Sequence, residues 1–533
     1  MSPAIQRAYV TVGNRQVHVR HAGRGPAVVL VHQSPTSART LDLQTAAFAR
    51  AGFQALALDI PGLGRSDPLE VPRPEVEDLA IGLGETLDAL GLAQVALYGS
   101  HTGALACTEF AVRWPERVSA LLIDGYPVYS EDERTRRVAT YFPPYEVRWD
   151  GAHLLWLWYR YREQYLFWPW NIPGEVTQAR CDVPDAEFLH EGAVDMLRAG
   201  NGYRLPYAAA FRCRSRDLVA RLRSPTFFLA YPDDSLTANL ELLGELPAAC
   251  RIEPMPAERA AGTEKEIAIL RAHAPASGNA SLSTARRAHG ITRSYVDAGG
   301  VQLALRSAGP QSGRPLVVVP PAPGSASMLA GEIEQLAKKR PVFAFDVPGC
   351  GDSDPLRELT VSTMAQTLRA AIDATVMKDA DIYALHGGCA VALELGCTGR
   401  VVLEAPARMH RKDGNYVAEY APPIEPRWDG SHLISLWHAT RNRRLFRPWF
   451  DQRLSARYTD ALSLDVEVIN REVLAYVESW RSYHHVWRAV LAHPGSKASV
   501  VSQPRDEFCA AGETLPEAML PRIQRILALL EHG

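Results

Sequence analysis

The chain has 533 residues, of which 47 % are apolar and 22 % are charged, and its formal net charge is −3. These proportions are those of an ordinary folded protein with a large core, and a charge near zero without a long basic run argues against a nucleic-acid partner. No apolar run reaches the roughly 18 residues of a membrane helix, so no membrane partner is expected.

Short β-branched runs alternate with longer amphipathic stretches along the first half of the chain. An amphipathic helix is predicted at 74–90, and a helical run is predicted at 152–167. The strands are predicted at Ala27–Val31, Gln54–Leu58, Val95–Tyr98, Val118–Ile123 and Thr226–Ala230. Because strands that alternate with helices form parallel sheets covered by those helices, the sequence predicts an α/β fold with a mostly parallel sheet.

The chain contains similar segments twice, in the same order. The members of each pair lie 279 to 288 residues apart, about half the chain. A period this long predicts a tandem duplication of whole domains rather than a solenoid. The pairs are Ala27–Ser37 with Pro315–Ser325, Leu56–Pro68 with Phe343–Pro355, and Pro143–Trp158 with Pro422–Trp437.

A stretch rich in Ala, Ser and Gly, His273–Gly290, separates the two copies. Such a composition without apolar periodicity is typical of a linker. We predict a first domain at 1–275, a linker at 276–290 and a second domain at 291–533. Each domain would carry a helical cap, at about 130–205 and about 408–480, and the two domains would pair within the chain.

Three motifs of the first copy follow one another in a known order. A strand ends in His32 and is followed by Pro35, then comes the turn Asp59–Ser66, and then the segment Gly99–Gly103 between a strand and a helix. This order resembles the α/β-hydrolase superfamily, and the resemblance covers nearly the whole chain. It implies two tandem α/β-hydrolase folds, the second of them shortened at its C-terminal end, and active sites beyond the carboxyl ends of the strands.

The resemblance places a histidine where the superfamily presents its nucleophilic serine. In the pattern small-x-nucleophile-x-small, a sharp strand-to-helix turn raises the central side chain above the sheet. The central residue is His101 in Gly99–Gly103 and His386 in Ala384–Gly388, and the two histidines lie 285 residues apart. Both domains are therefore predicted to carry a histidine at this apex.

The remainder of the usual triad is incomplete. Asp234 best matches the acid that follows a late strand, and Asp124 is an alternative acid that ends an earlier strand. Asp506 aligns with Asp234 in the second domain. The histidine expected after the last strand is missing, because Glu253–Arg259 contains none. The Ser-His-Asp mechanism therefore cannot be carried over, since a serine hydroxyl without a positioned base is a poor nucleophile.

The segment that is best preserved between the copies lies where the superfamily inserts its cap. It holds Arg148, Trp149 and His153, matched by Arg427, Trp428 and His432. One interpretation is that Arg148 pairs with Asp150 and Trp149 packs cap against core. The other is that Arg148, Trp149 and His153 bind substrate beneath the cap. The cap is also rich in aromatic residues, which would suit an aromatic or apolar substrate or, alternatively, form the core of the cap or an interface between the domains.

We expect the first domain to be the catalytic half. His32 is retained there, and Gln33, Ser34 and Thr102 are predicted to bind substrate, with backbone donors near Gln33 and Thr102 holding an oxyanion. The second domain has Pro321 in place of Gln33, and a proline has no N–H to donate. The predicted catalytic residues are His101, Asp124, Asp234 and His32.

The leading hypothesis is a cofactor-independent enzyme that hydrolyses an ester, a thioester or a carbon–carbon bond of a small organic substrate. His101 would serve as general base or as nucleophile. A lyase, decarboxylase or isomerase that uses His101 as base is one alternative, and a non-catalytic ligand-binding or scaffold protein is another. No metal-ligand spacing and no nucleotide-binding motif is found, and a homo-oligomer remains open.

The expected location is the cytoplasm. The N-terminus shows no signal peptide. The eight cysteines include no CxxC pair, which favours a reducing compartment.

Overall fold

Contacts divide the chain into two units. The computed structural model describes residues 4–179, 182–275, 279–375, 379–396, 399–407, 415–458, 464–494 and 520–532. The first unit comprises Met1–Tyr145 and Leu157–Ala288, and the second comprises Glu146–Trp156 and His289–Gly533. The first unit therefore differs from the predicted first domain in two places: Glu146–Trp156 is grouped with the second unit, and the first unit continues past residue 275 to Ala288.

The first unit contains a mixed sheet in which most pairs are parallel. Its strands are β1 (Gln6–Val12), β2 (Arg15–Ala22), β3 (Ala27–Val31), β4 (Gln54–Leu58), β5 (Val95–Ser100), β6 (Val118–Asp124), β7 (Thr226–Ala230) and β8 (Cys250–Pro254). Their order across the sheet is β1-β2-β4-β3-β5-β6-β7-β8. The pairs β1–β2 and β2–β4 are antiparallel, and the others are parallel. The predicted α/β fold with a mostly parallel sheet is confirmed.

The central strands are apolar throughout because both faces of this sheet are covered. All five residues of β3 and of β4 are buried, as expected for parallel strands with helices on both sides. Tyr98 of β5 and Leu122 of β6 join the same core, which Phe48 and Leu270 complete from the helices. This packing fixes the edge of the sheet where β5, β6 and β7 end.

Helices connect and flank these strands. They are α1 (Asp42–Arg50), α2 (Val76–Ala89), α3 (Thr102–Arg113), α4 (Glu131–Thr140), α5 (Ala152–Glu163), α6 (Ala186–Ala199), α7 (Arg204–Arg212), α8 (Ser215–Val219) and α9 (Arg259–Ala272). The side chains of Glu75 and Asp78 form a capping box at the start of α2, which satisfies backbone donors that have no partner within the helix. The helices between β6 and β7 extend from Glu131 to Val219, past the end of the predicted cap.

The segment predicted as a linker is bound to the first unit over part of its length. The N–H of Ala280 donates to the Gln54 side chain at 2.7 Å, and the N–H of Ser281 donates to the Leu90 carbonyl at 2.9 Å. The Thr284 hydroxyl donates to the Tyr9 carbonyl at 2.8 Å. Residues 279–288 therefore belong to the first unit by hydrogen bonding as well as by contacts.

The second unit contains a smaller sheet. Its strands are β9 (Thr292–Asp297), β10 (Gln302–Ala308), β11 (Leu316–Val319), β12 (Val342–Phe345), β13 (Asp381–Leu385) and β14 (Val401–Glu404). Read from β9, their order is β9-β10-β12-β11-β13-β14. This is the order of the first six strands of the other sheet, with the same two antiparallel pairs at its start. Within the described residues, no counterparts of β7 and β8 are found.

The helices of the second unit are α10 (Ala330–Ala337), α11 (Val361–Thr375), α12 (Gly388–Glu394), α13 (Tyr416–Tyr420), α14 (Ser431–Arg443), α15 (Val466–Glu478), α16 (Tyr483–Ala492) and α17 (Leu520–His532). Among the described helices of the whole chain, none has the length and apolarity needed to cross a membrane.

Candidate functional site

His101 stands at the turn between β5 and α3. Its backbone angles are φ 48° and ψ −105°, a left-handed conformation that is uncommon for a residue other than glycine. Its N–H donates to the carbonyls of Asp124 and Gly125, each at 3.1 Å. The turn is therefore anchored to the end of the neighbouring strand, and it holds the imidazole beyond the carboxyl edge of the sheet.

Small residues on either side make this turn possible. A Cβ on Gly103 would lie 2.1 Å from the carbonyl oxygen of Val31, and a Cβ on Gly99 would lie 2.7 Å from the Cα of Ala104. Both distances are far shorter than van der Waals contact. Only glycine at these positions allows α3 to approach the strands so closely.

A cavity of about 310 Å³ opens at His101. Carboxylates and Arg259 lie near the sheet edge, and aromatic side chains from the segment between β6 and β7 form another part of the wall. The residues that line it include Gln33, Ser34, Tyr98, Ser100, His101, Asp124, Gln164, Tyr165, Trp168, Tyr207, Asp233, Asp234 and Arg259. Its volume lies within the range of about 300–1,000 Å³ that is typical of small-molecule sites.

Asp234 is the acid nearest to His101. The distance from His101 Nε2 to Asp234 Oδ2 is 3.4 Å, and the side chains are 30 % and 6 % exposed. Burial is the largest influence on the imidazole and lowers the pKa of His101, but the negative charges of Asp234 and Asp124 outweigh it, so the pKa is raised. Burial raises the pKa of Asp234, but His101 more than offsets this, so that pKa is lowered. The two groups therefore favour an ion pair.

Asp124 also lines the cavity, but its direct contacts are to other side chains. Its Oδ2 accepts a hydrogen bond from the Tyr98 hydroxyl at 2.8 Å and lies 3.5 Å from Arg259 Nη1. Burial is the largest influence and raises the pKa of Asp124, and the positive charge of Arg259 counteracts it only in part. Asp124 acts on His101 through its charge, whereas Asp234 is the residue that can orient the ring.

Arg259 occupies the place in the chain where the superfamily resemblance implied a histidine. It is the first residue of α9, and its guanidinium lies 3.9 Å from the ring centroid of Tyr231. Its Nη2 lies 3.1 Å from Asp233 Oδ1. The site therefore holds an arginine within a group of three aspartates. The sequence analysis did not single out this arginine.

Gln33 and Ser34, which are predicted to bind substrate, line the cavity. The Ser34 hydroxyl is buried and, among the described residues, has no hydrogen-bond partner. Thr102 has a buried side chain and begins α3. The first N–H groups of a helix have no partner within that helix, so the Thr102 amide remains a candidate donor to an anionic oxygen.

His32 is not among the described residues that line the cavity, and its catalytic role stays a prediction. It is fully buried. Its Nδ1 donates to the Gln33 carbonyl at 2.7 Å, and its Nε2 accepts the Ile60 N–H at 3.0 Å. Burial, the largest influence, lowers its pKa. With both ring nitrogens engaged by backbone, this histidine supports the loop that carries Gln33.

The predicted substrate contacts of Arg148, Trp149 and His153 also stay predictions. All three belong to the segment that is grouped with the second unit, and none is among the described residues that line the cavity at His101. Arg148 pairs with Asp150 at 2.9 Å, and His153 Nε2 lies 3.0 Å from Asn470 Oδ1. The pair formed by Arg148 and Asp150 matches one part of the alternative interpretation, whereas the exposure of Trp149 does not match the packing role given to that residue.

Trp149 is 65 % exposed. Its carbonyl accepts a hydrogen bond from Trp437 Nε1 at 3.1 Å. The backbone of Trp149, rather than its ring, makes this contact.

His386 stands at a turn of the same kind in the second unit. It follows β13 with φ 47°, and its N–H donates to the Glu404 carbonyl at 3.0 Å. The Tyr383 hydroxyl donates to Glu404, which Arg522 of the last helix approaches at 2.8 Å. Tyr98, Asp124 and Arg259 make the corresponding set in the first unit. The predicted acid Asp506 lies outside the described residues.

Comparison with known proteins identifies the fold of the N-terminal part. Residues 26–154 match the alpha/beta hydrolase fold family. This stretch of the chain is therefore similar to the α/β-hydrolase fold. The matched range includes the turn at His101 but covers less than half of the chain, so the activity of the whole protein does not follow from it.

Two curated relatives resemble this chain over short segments. It is 35 % identical over 120 residues to bifunctional epoxide hydrolase 2 of Sus scrofa, covering 22 % of each chain. It is 34 % identical over 118 residues to a 2-hydroxy-6-oxononadienedioate/2-hydroxy-6-oxononatrienedioate hydrolase of Burkholderia vietnamiensis. That match covers 21 % of this chain and 40 % of the relative. The chain thus spans less than half the length of either relative.

Among solved structures, epoxide hydrolase A of Mycobacterium thermoresistibile is 20 % identical with a TM-score of 0.41, covering 52 % of this chain and all of that one.

Proposed function

We propose that the N-terminal α/β-hydrolase domain hydrolyses an ester, a thioester or a carbon–carbon bond of a small organic substrate without a cofactor. His101 acts as the general base, and Asp234 orients it. The observation that carries this proposal is the position of His101 at the apex of the strand-to-helix turn, facing a cavity, with its Nε2 3.4 Å from Asp234.

The two ring nitrogens of His101 have different tasks in this mechanism. Asp234 accepts the hydrogen on Nε2, which leaves the lone pair on Nδ1 to accept a proton. For Nδ1, no hydrogen-bond partner is found among the described residues. A carboxylate that holds one nitrogen while the other exchanges protons is the arrangement that orients a catalytic imidazole. The 3.4 Å separation is compatible with a contact that shortens when substrate binds.

Hydrolysis then proceeds by proton transfer through one histidine. A water molecule gives a proton to Nδ1 of His101 while its oxygen attacks the carbonyl carbon. The N–H groups near Gln33 and Thr102 bind the resulting oxyanion. When the tetrahedral intermediate collapses, the bond to the leaving group breaks and the imidazolium returns its proton to that group. A direct attack by the imidazole, giving an acyl-imidazole that water then hydrolyses, uses the same residues.

The cavity wall favours an uncharged substrate with an aromatic or apolar part. Tyr165, Trp168 and Tyr207 provide aromatic surface. Three aspartates face the same space, whereas Arg259 is the charged partner of two of them. The excess of negative charge disfavours an anionic substrate.

We also propose that the second unit is a shortened duplicate of the first. Three kinds of observation support this: the paired sequence segments, the shared order of six strands, and the set of tyrosine, carboxylate and arginine at both turns. A histidine with positive φ at the same point of each sheet adds to them. In this proposal the second unit is shortened at its C-terminal end, and the part of it that the structure describes contains no counterpart of β7 or β8.

A substrate panel tests the proposed activity. p-Nitrophenyl esters, thioesters and β-diketones are incubated with the protein and with His101→Ala. General-base catalysis is worth about 10²–10⁴-fold in rate, so His101→Ala should lose at least about 100-fold in kcat/KM. His438→Ala, which removes an exposed histidine on α14, is the matched control. No turnover on any class, or turnover by His101→Ala at the unmodified rate, would contradict the proposal.

A further inference from the structure

The second unit contains a cavity of its own beside His386. It measures about 120 Å³. His386, Tyr420, Trp449 and Trp487 line it together with Arg443 and Arg447. Its described wall therefore combines aromatic rings with two guanidinium groups.

Arg443 brings unsatisfied donors to this cavity. Its Nη2 donates to the Tyr483 hydroxyl and lies 3.5 Å from the Tyr420 carbonyl. Its Nε and Nη1 are buried and have no hydrogen-bond partner among the described residues. Its guanidinium carbon lies 5.3 Å from the ring of Tyr420 and 5.5 Å from that of Trp487. Aromatic faces attract the cation but accept only weakly from its N–H groups, so donors remain for another acceptor.

The other charges at this cavity do not supply that acceptor. Glu472 lines the cavity, but its Oε2 lies 2.7 Å from Arg444 Nη1 and its Oε1 accepts the Tyr476 hydroxyl at 2.5 Å. Arg447 is exposed at the wall and adds positive charge. The balance of charged side chains around the cavity is positive.

The cavity at His386 differs from the cavity at His101 in its charge, as a comparison of equivalent positions in the two copies shows. The paired segments Pro143–Trp158 and Pro422–Trp437 lie 279 residues apart. At the same offset, Arg443 corresponds to Gln164 and Arg447 corresponds to Trp168. Both of these neutral residues line the cavity at His101. The first cavity is rich in aspartates, whereas the second presents arginines at the equivalent positions.

We propose that the cavity beside His386 binds a small organic carboxylate whose carboxylate accepts hydrogen bonds from Arg443. The aromatic side chains contact the apolar body of the ligand, and Arg447 attracts the anion at the wall. A group the size of a water molecule needs roughly 10–15 Å³ of cavity volume. A cavity of about 120 Å³ therefore takes a ligand of about ten non-hydrogen atoms. This site is independent of hydrolysis at His101.

Binding of benzoate to the full chain tests the proposal. Isothermal titration calorimetry should give a Kd at or below about 1 mM, the range open to a ligand of this size. Benzamide has nearly the same shape without the charge. It should bind at least about tenfold more weakly, as expected when a hydrogen bond between charged groups is lost. Equal affinities for the two compounds, or no benzoate binding up to about 10 mM, would overturn the proposal.

Variants locate the bound anion. Arg443→Met should weaken benzoate binding at least about tenfold, whereas Gln164→Met, the matched change in the first cavity, should leave it unaltered. Arg443→Lys keeps the charge and should lose less affinity than Arg443→Met. Unaltered affinity in Arg443→Met, or loss in Gln164→Met alone, would contradict the assignment. Circular dichroism reports whether each variant is folded, and the benzoate–benzamide comparison decides without any variant.

Discussion

Arg259 Nη1 lies 3.5 Å from Oδ2 of Asp124, at the start of the last helix of the first unit. This contact places a permanent positive charge next to the pair formed by His101 and Asp234. Arg259 opposes the two aspartates in their effect on the imidazole. The protonation of His101 therefore depends on a balance of named charges, which substitutions can shift in either direction.

Asp234→Asn should lower the pKa of His101, because the negative charge that raises it is removed. A general base works in its neutral form, so activity falls as pH drops through this pKa. The acid limb of the kcat/KM profile should therefore move to lower pH, and the maximum should fall by about tenfold or more as the ring loses its orienting partner. Asp233→Asn is the matched control and should shift the limb less. An unmoved limb would show that Asp234 does not act on the base.

Arg259→Met should shift the same limb in the opposite direction. Arg259 lowers the pKa of both His101 and Asp124, so its removal raises both. The imidazole then stays protonated to higher pH, and activity at neutral pH decreases. The measurement is the kcat/KM profile together with an NMR titration of the His101 ring. A shift toward lower pH would contradict the assigned influence of Arg259.

His32→Ala should reduce stability rather than alter the pH dependence of activity. The substitution leaves the buried N–H of Ile60 without its acceptor, which costs about 1–3 kcal/mol. Chemical denaturation should show this loss in the free energy of unfolding. The acid limb of the activity profile should remain in place. A large loss of kcat/KM in a variant of unchanged stability would contradict this prediction and support a catalytic role for His32.

Gly103→Ala should destabilise the first unit. The new Cβ would lie 2.1 Å from the Val31 carbonyl oxygen, and forcing a methyl group into a packed site costs about 1–3 kcal/mol. Gly202→Ala is the control, since a Cβ there meets nothing within 4 Å, and its effect should stay within about 0.5 kcal/mol. Thermal unfolding distinguishes the two. Similar melting temperatures would show that the helix can move away from the strand at low cost.

Five of the eight strands of the first unit were predictable, because burial on both faces requires continuous apolar runs, whereas β1, β2 and β8 were not predicted. β3, β4 and β7 are observed with the predicted bounds, and β5 and β6 extend only slightly further. Periodicity also located α2, whose capping residues lie just before and within its first turn. Local sequence is sufficient here because each of these elements is specified by its own residues.

The site could be predicted only in part, because it depends on contacts between distant residues. His101 and Asp234 meet across more than a hundred residues, and the order of motifs anticipated both. Arg259 was missed because the resemblance directed attention to a missing histidine rather than to the charged residue at that place. A charged residue at the first position of the helix after the last strand was the available signal.

A segment can be preserved in both copies because it binds substrate or because it packs, and the sequence alone does not separate these two reasons. The segment with Arg148 and His153 is well preserved in both, and its contacts are with packing partners such as Asn470. His32 poses a related problem. A buried histidine bound by backbone groups cannot be distinguished by sequence from a histidine that faces a substrate.

The hydrogen bonds of residues 279–288 have a practical consequence for dividing the gene. A fragment ending at the predicted boundary of 275 would remove the partners of Gln54, Leu90 and Tyr9 and uncover the Tyr9 carbonyl on the edge strand β1. Exposed strand backbone invites intermolecular pairing, so such a fragment should precipitate more readily than one that continues to Ala288.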